Sequence, residues 1–272
     1  FAEETINRNK RSVAIDLRRP EGVEAFLALV TSADVVVENF KPGTFAGWGI
    51  GYDDCRKVKQ DIVYLSVSGW GQFGPESQRP GYDPGALAHS GWMALNGEKD
   101  GAPSKAPTFL ADDLSGLHGA LAVLAALHHR DATGEGQHVD VSLLDSIIYQ
   151  SNGYLTLGAT GDSLERWGSE VRVCAPTNCY ECSDGHVFMA LILDSHWVRL
   201  TEVLGCPELG KDPRYLTNED RVAHRTEVDS LVADWCRDRP KEEVVSAIDS
   251  AGIVISAVNT FADAAQDPHV LE

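Results

Sequence analysis

Two aspartates stand side by side in the stretch FLADDLSGLHG, at the point where an apolar helical pattern begins. A carboxylate at a helix start most often serves as a cap, accepting a backbone N–H of the first turn. It can also be a nucleophile, because the helix N-terminus favours the anion and exposed amides there can hold an oxyanion during acyl transfer. Asp112 and Asp113 together can divide those roles, one capping and one reacting. His118 follows roughly a turn and a half later, within reach of the same site, although such a residue more often packs along its helix.

A second candidate is YLSVSGWGQFGP, where Gly69, Gly71 and Gly74 have the G-x-G-x-x-G spacing of a dinucleotide-binding turn. That turn requires its third glycine to open a helix, and an acidic residue about 20 positions on to end the next strand. Here Gly74 leads into the irregular PESQRPGYDPG, and no such strand follows. The glycines therefore read as a wide loop at the carboxyl end of a parallel strand, where α/β proteins place their ligands. The pair Cys179 and Cys182 forms C-x-x-C, but it has no second pair to complete a zinc site. It lies in alternating strand sequence and not at a helix start, so neither a metal nor a redox site is expected. There is no G-x-S-x-G elbow, H-E-x-x-H, P-loop lysine motif or calcium loop.

The elements that must hold these residues alternate over the first seventy positions. SVAIDL, ADVVVENF and DIVYLSVS read as strands, and Val23, Phe26, Leu27 and Val30 mark a helix between the first two. Strand, helix, strand at these lengths implies a parallel sheet covered by helices. After the loop, Leu114, Leu117, Leu121, Leu124 and Leu127 or His128 form the apolar stripe of a long helix that Gly134 stops. GQHVDVSLLDSIIYQSNG follows as strand and helix, and the pattern weakens between about 160 and 175, a plausible boundary. Beyond it come a hairpin around Ser183-Asp184-Gly185, a helix capped by Asp194, two more helices and the strand IVISAVN. The expected class is α/β, a Rossmann-like large domain with a parallel sheet followed by a small α+β domain.

The chain of 272 residues is 43% hydrophobic, enough for one large or two modest domains with a real core. Its formal charge of −18 argues against nucleic acid or an anionic membrane as the main partner. No run reaches the roughly 18 consecutive apolar residues of a membrane span, and FAEETINRNKRS has no signal-peptide core, so the expected location is the cytoplasm. Six cysteines in a chain this long do not form a disulfide framework.

NRNKRSVAIDLRRPEG, ADVVVENFKPG, SVSGWGQFGP, RPGYD, LADDLSGLHGALAVLAALHHRDATGEGQHVDVSLLD and YECSDGHVFMAL occur in the order and spacing of the family III CoA-transferases. Over nearly its whole length the chain resembles that group, which includes formyl-CoA and carnitine CoA-transferases and α-methylacyl-CoA racemase. The resemblance implies CoA transfer from an acyl-CoA to a free carboxylic acid through a covalent aspartyl intermediate, with no metal. It implies Asp112 as nucleophile, with Tyr82 and Asp83 as further catalytic residues. CoA contacts are implied at Ile15, Asp16, Leu17 and Arg18, at Asn39, Phe40 and Lys41, and at Gly69 and Gly71. The implied boundaries are a large CoA-binding domain over 1–168, a small domain over 169–262, and the start of a linker back to the large domain over 263–272. An interlocked homodimer is implied too, and family chains extend further at both ends.

Three positions depart from the pattern. A basic residue that often follows ENFxPG is Gly47 here. Racemase relatives have G-H-D where this chain has Gly81-Tyr82-Asp83, and a phenol is a poor base for removing a proton α to a thioester. That favours transfer over racemisation; a non-catalytic partner subunit is the remaining alternative, and the presence of Asp112 speaks against it. Asp194 falls where some transferases carry a glycine-rich loop over the intermediate, and the loop here is not glycine-rich.

Overall fold

The computed structural model describes residues 6–272 and divides into two compact units. One runs to Gly97 and resumes over Ala102–Arg166; the other comprises Glu98–Gly101 and Trp167–Glu272. As expected, the fold is mixed α/β, with a parallel sheet in the first unit and an antiparallel one in the second.

In the first unit the order is α1 (Pro20–Val30), β1 (Val35–Glu38), α2 (Tyr52–Val58), β2 (Val63–Ser68), α3 (Asp83–His89), α4 (Leu110–Thr133), β3 (His138–Ser142) and α5 (Leu143–Tyr149), with short helical turns between. The strands pair in parallel in the order β1-β2-β3, Val35 opposite Val63 and Tyr64 opposite His138. Central β2 is buried at five of its six positions, Val63, Tyr64, Leu65, Ser66 and Ser68, as a parallel strand covered on both faces must be. SVAIDL is not a strand. Among the described residues the sheet has three members, none of which pairs with Ser12–Leu17, and Val13 is 67% exposed. Extended sequence becomes a strand only where a neighbour takes its hydrogen bonds. The start of that stretch's upstream context, residues 1–5, lies outside the described residues.

The long helix α4 forms, and Gly134 ends it in a left-handed conformation at φ 78°, its N–H bonded to the Arg130 carbonyl. Its buried face is not the leucine stripe. Ala111, Ser115, Gly119 and Ala126 face inward, while Leu117, Leu121 and Leu124 are 65–66% exposed. Close approach decides the face: a Cβ on Gly119 would sit 2.9 Å from Leu65 Cδ2, so only small residues let α4 lie on β2. By length and composition α4 is also apolar enough to cross a membrane, alone among the described helices. That was not expected from counting apolar runs; the helix qualifies on mean hydropathy, its alanines and leucines outweighing the polar residues among them.

In the second unit β4 (Thr177–Cys182) and β5 (Gly185–Ala190) form the expected hairpin. Helices α6 (Asp194–Val203), α7 (Arg225–Arg237) and α8 (Lys241–Ser250) precede β6 (Val254–Ala257), which pairs antiparallel with β5. Val187, Met189, Trp197, Leu200, Val232 and Ile248 are fully buried in its core. Asp194 does not cap α6. Leu193 holds the cap position, and the Asp194 carboxylate instead accepts from Nη2 of the fully buried Arg221 at 2.8 Å.

Candidate active site

The first unit brings its chemistry to the carboxyl ends of the strands. Beyond β2 the chain leaves at Gly69 and returns at Gly81, and the two backbones cross. A Cβ on Gly69 would lie 2.6 Å from Gly81 Cα, and one on Gly81 would lie 2.7 Å from Gly69 Cα. Trp70 Nε1 donates to the Pro80 carbonyl at 3.3 Å across the base of the loop. Inside it, the Gly71 amide donates to Ser68 Oγ at 3.0 Å and the Gln72 amide to Asp140 Oδ2 at 2.9 Å. Gly71 and Gly74 take φ of 85° and 94°, conformations that favour glycine. Loop closure therefore accounts for the glycine pattern. The space left at Gly69 is filled by Gly81, and Phe73 stands at the tip, 81% exposed.

The closed loop delivers Tyr82 and Asp83 to the start of α3. Tyr82 occupies the cap position with its ring 77% exposed. Asp83 turns inward, 2% exposed, and its Oδ1 accepts the Ala111 N–H at 2.7 Å. That bond supplies the cap that α4 lacks from its own sequence, where Phe109 holds the cap position without a side-chain bond. Asp83 Oδ2 is buried with no hydrogen-bond partner among the described residues. Behind this contact, Ala86, Leu87, Ala111, Leu143 and Ile147 form one apolar cluster tying α3, α4 and α5 together.

Asp112 and Asp113 are thus released from capping. They occupy the third and fourth positions of α4, and both are exposed. Partial burial, reinforced by the charges of Asp83 and then Asp113, pushes the Asp112 carboxyl above its ordinary titration range. His118 packs edge-on against Tyr149 at 5.5 Å, as a helix-packing residue does. The arrangement is an accessible carboxylate on a helix's first turn, next to the residue whose amide a buried second carboxylate accepts, beyond the carboxyl end of β2, where parallel sheets commonly place their ligands.

Residues 2–272 match the family model CoA-transferase family III. The chain is 33% identical over 266 residues to succinyl-CoA–D-citramalate CoA-transferase of Chloroflexus aurantiacus, covering 97% of this chain and 66% of that protein. It is 35% identical over 268 residues to succinate–glutarate CoA-transferase of Agrobacterium fabrum, with the same coverage of each. The chain belongs to CoA-transferase family III.

Solved family structures agree. A CAIB/BAIF family protein from Brucella suis superimposes with a TM-score of 0.86 at 34% identity, covering 96% of this chain and 70% of that one. Rv3272 from M. tuberculosis gives 0.86 at 27% identity, covering 97% and 70%. The chain thus spans just under two thirds, 66%, of the length of the two transferases above.

For a family III chain, the residues expected to touch CoA fall in three places. Asn39, Phe40 and Lys41 follow the end of β1, where buried Glu38 turns back so that Oε2 accepts the Phe40 N–H at 2.7 Å. The Phe40 ring packs against Phe45 and Trp48, with centroids 5.0 and 5.6 Å away. Ile15–Arg18 turn against the start of α1, where a Cβ on Gly22 would strike the Asp16 carbonyl at 2.1 Å. Arg18 is already engaged there: Nε and Nη2 donate to the two Asp16 carboxylate oxygens at 2.8 and 3.1 Å. Gly69 and Gly71 belong to the crossed loop. No hydrogen bond or ion pair among the described residues joins the first two groups to Asp83 or Asp112. At Gly47 a side chain would meet nothing within 4 Å, so the basic residue missing from the family pattern is not excluded by crowding.

Cys179 and Cys182 are three apart on β4 and so point to opposite faces of the strand, which forbids a shared ligand. Burial raises both thiols above their ordinary range, with Glu98 adding to the first and Asp184 to the second. Neither is the low-pKa thiol of a redox pair. Among the described residues no three histidine, cysteine or acidic side chains cluster as a metal site would require.

The sequence reading missed the capping role of Asp83. The sequence gives no signal for it, because Asp112 and Asp113 themselves look like caps; only the start of the helix at Leu110, with Phe109 in the cap position, shows that the acceptor must come from elsewhere.

Proposed function

We propose that this chain carries the nucleophile of an acyl-CoA:carboxylate CoA-transferase, and that Asp112 is that nucleophile. The observation that carries the reading is the exposed Asp112 carboxylate on the first turn of α4, freed from capping by Asp83, in a family III chain. An Asp112 oxygen adds to the thioester carbonyl and the C–S bond breaks, CoA leaving as thiolate and the acyl group remaining as a mixed anhydride. The thiolate then attacks the Asp112 carbonyl, releasing the donor acid and forming an aspartyl thioester. An acceptor carboxylate repeats the two steps in reverse order and restores free Asp112. The dipole of α4 partly offsets, at the start and end of the cycle, the burial and like charges that disfavour the Asp112 anion.

The named transferases supply the substrate class. Relatives from Chloroflexus, Agrobacterium and Haloarcula are named for succinyl-CoA or succinate with citramalate, glutarate or mesaconate. We infer a succinyl-CoA donor and a four- or five-carbon dicarboxylate acceptor, with CoA approaching along Asn39–Lys41 and Ile15–Arg18, and a homodimer as the working form. In the full-length protein, Asp112→Ala is expected to abolish exchange of label between succinyl-CoA and free succinate, and hydroxylamine to trap an acyl group on the wild type. Full exchange in Asp112→Ala overturns the assignment.

A further inference from the structure

Asp83 does more than a cap requires. A serine or threonine hydroxyl could accept the Ala111 N–H and would carry no second polar atom to be left orphaned. Instead a carboxylate sits 2% exposed, with Oδ1 committed to Ala111 and Oδ2 buried without a partner among the described residues. An unsatisfied buried oxygen of this kind is destabilising, and natural folds keep few of them. We propose that Asp83 is a positioning residue for the nucleophile: one oxygen fastens the first turn of α4, and the fixed negative charge beside Asp112 favours acyl transfer because acylation removes one of two adjacent like charges. The inference rests on Asp112 being the nucleophile.

The surroundings of Asp112 leave this charge uncompensated. From α3 the group facing it is Asp83, and on α4 itself Asp113 adds a like charge. Titratable groups on the other packed elements are engaged elsewhere. Asp145 of α5 accepts from Ser142 Oγ at 2.6 Å, Tyr149 packs on His118, and Asp140 of β3 holds the Gln72 amide. The upward displacement of the Asp112 titration has burial as its larger cause and these two carboxylates as the rest. Protonation and acylation both neutralise Asp112, so a repulsion that favours one favours the other. In the acylation step the new bond joins Asp112 oxygen to the acyl carbon, the C–S pair departs with the thiolate, and the charge leaves with it. A mixed anhydride otherwise lies well above a free carboxylate. Raising the carboxylate narrows that gap, and the more basic oxygen is also the better nucleophile.

The test compares Asp83→Asn, Asp83→Ser and Asp83→Glu in the full-length protein, using label exchange between succinyl-CoA and succinate over a range of pH. Asn and Ser keep an acceptor for Ala111 and remove the charge, so the acid limb of the rate profile moves to lower pH. The plateau rate falls by about tenfold, the scale of one partly screened charge pair, and less acyl-enzyme is trapped. Asp83→Glu, which keeps the charge, leaves the acid limb in place. If either neutral variant folds and shows the wild-type plateau and acid limb, the proposal is wrong, with Asp112→Ala still inactive. An active Asp112→Ala instead removes the nucleophile assignment itself, so the two failures are distinguishable.

Discussion

Gly69→Ala should damage both stability and exchange, and the size of the effect follows from the backbone crossing. The added Cβ would stand 2.6 Å from Gly81 Cα and 3.1 Å from its carbonyl carbon. Ordinary carbon contacts begin near ~3.5 Å, so the two strands of the loop base must part by about 1 Å. Overpacking of this kind costs about 1–3 kcal/mol. Losing the Trp70–Pro80 hydrogen bond across the same base adds roughly 1 kcal/mol. The expected loss is therefore about 2–4 kcal/mol, read as a lower urea midpoint. Because Gly81 is two residues from Asp83, and Asp83 holds Ala111, the displacement passes to the first turn of α4. A misplacement near 1 Å lowers rates by about 100-fold, so succinyl-CoA exchange should fall far more than substrate affinity. Gly74→Ala is the control: its Cβ would meet nothing within 4 Å, and only its φ of 94° opposes the change, at about 1–2 kcal/mol. If Gly69→Ala matches the wild type in both readouts, or is no worse than Gly74→Ala, then close approach is not the reason for glycine at 69.

Arg221→Met should lower the stability of the protein by about 3–5 kcal/mol in urea denaturation, since it leaves Ala175, Tyr215 and Leu216 carbonyls without the guanidinium that now serves all three. Asp194→Asn, at the exposed end of the same pair, should cost about 1 kcal/mol or less, and equal losses in the two variants would contradict this division. For Asp112 the sign runs the other way from most carboxylates. Its folded titration is raised, so the stability tied to its neutral form is complete below the unfolded value and is lost as pH climbs through the folded one. Asp112→Asn should therefore be more stable than wild type at neutral pH, by no more than a few tenths of a kcal/mol because solvent screens so exposed a group, and the gap should close on acidification. A variant less stable at pH 7 would show that the site is not electrostatically strained.

Much of the frame was legible because period and turn chemistry are local. β2 reads as a buried parallel strand from six residues, and Ser183-Asp184-Gly185 marks the hairpin of β4 and β5. The alternating sequence around Cys179 and Cys182 likewise places the pair on a strand, β4. The errors arose where a neighbour decides. SVAIDL has strand composition but no partner among the described residues, and Asp194 has cap composition but is taken by Arg221. On α4 the leucines outweigh the alanines in hydropathy, yet the distance to Leu65 admits only Gly119 and its small companions.

The same distinction separates the two carboxylates of the candidate site. The Asp112–Asp113 pair could be picked out from its position at a helix start, but its release from capping could not, because that depends on Asp83, 29 positions before Asp112, arriving at Ala111. What brings Asp83 there is the crossing of Gly69 and Gly81, a contact between two glycines with no side chain to announce it. Sequence patterns record what side chains need from their own element. Here the decisive contacts are made by backbone and by absent Cβ atoms, so the spacing of the glycines suggested a phosphate cradle while their conformations and contacts build a loop that aims a carboxylate.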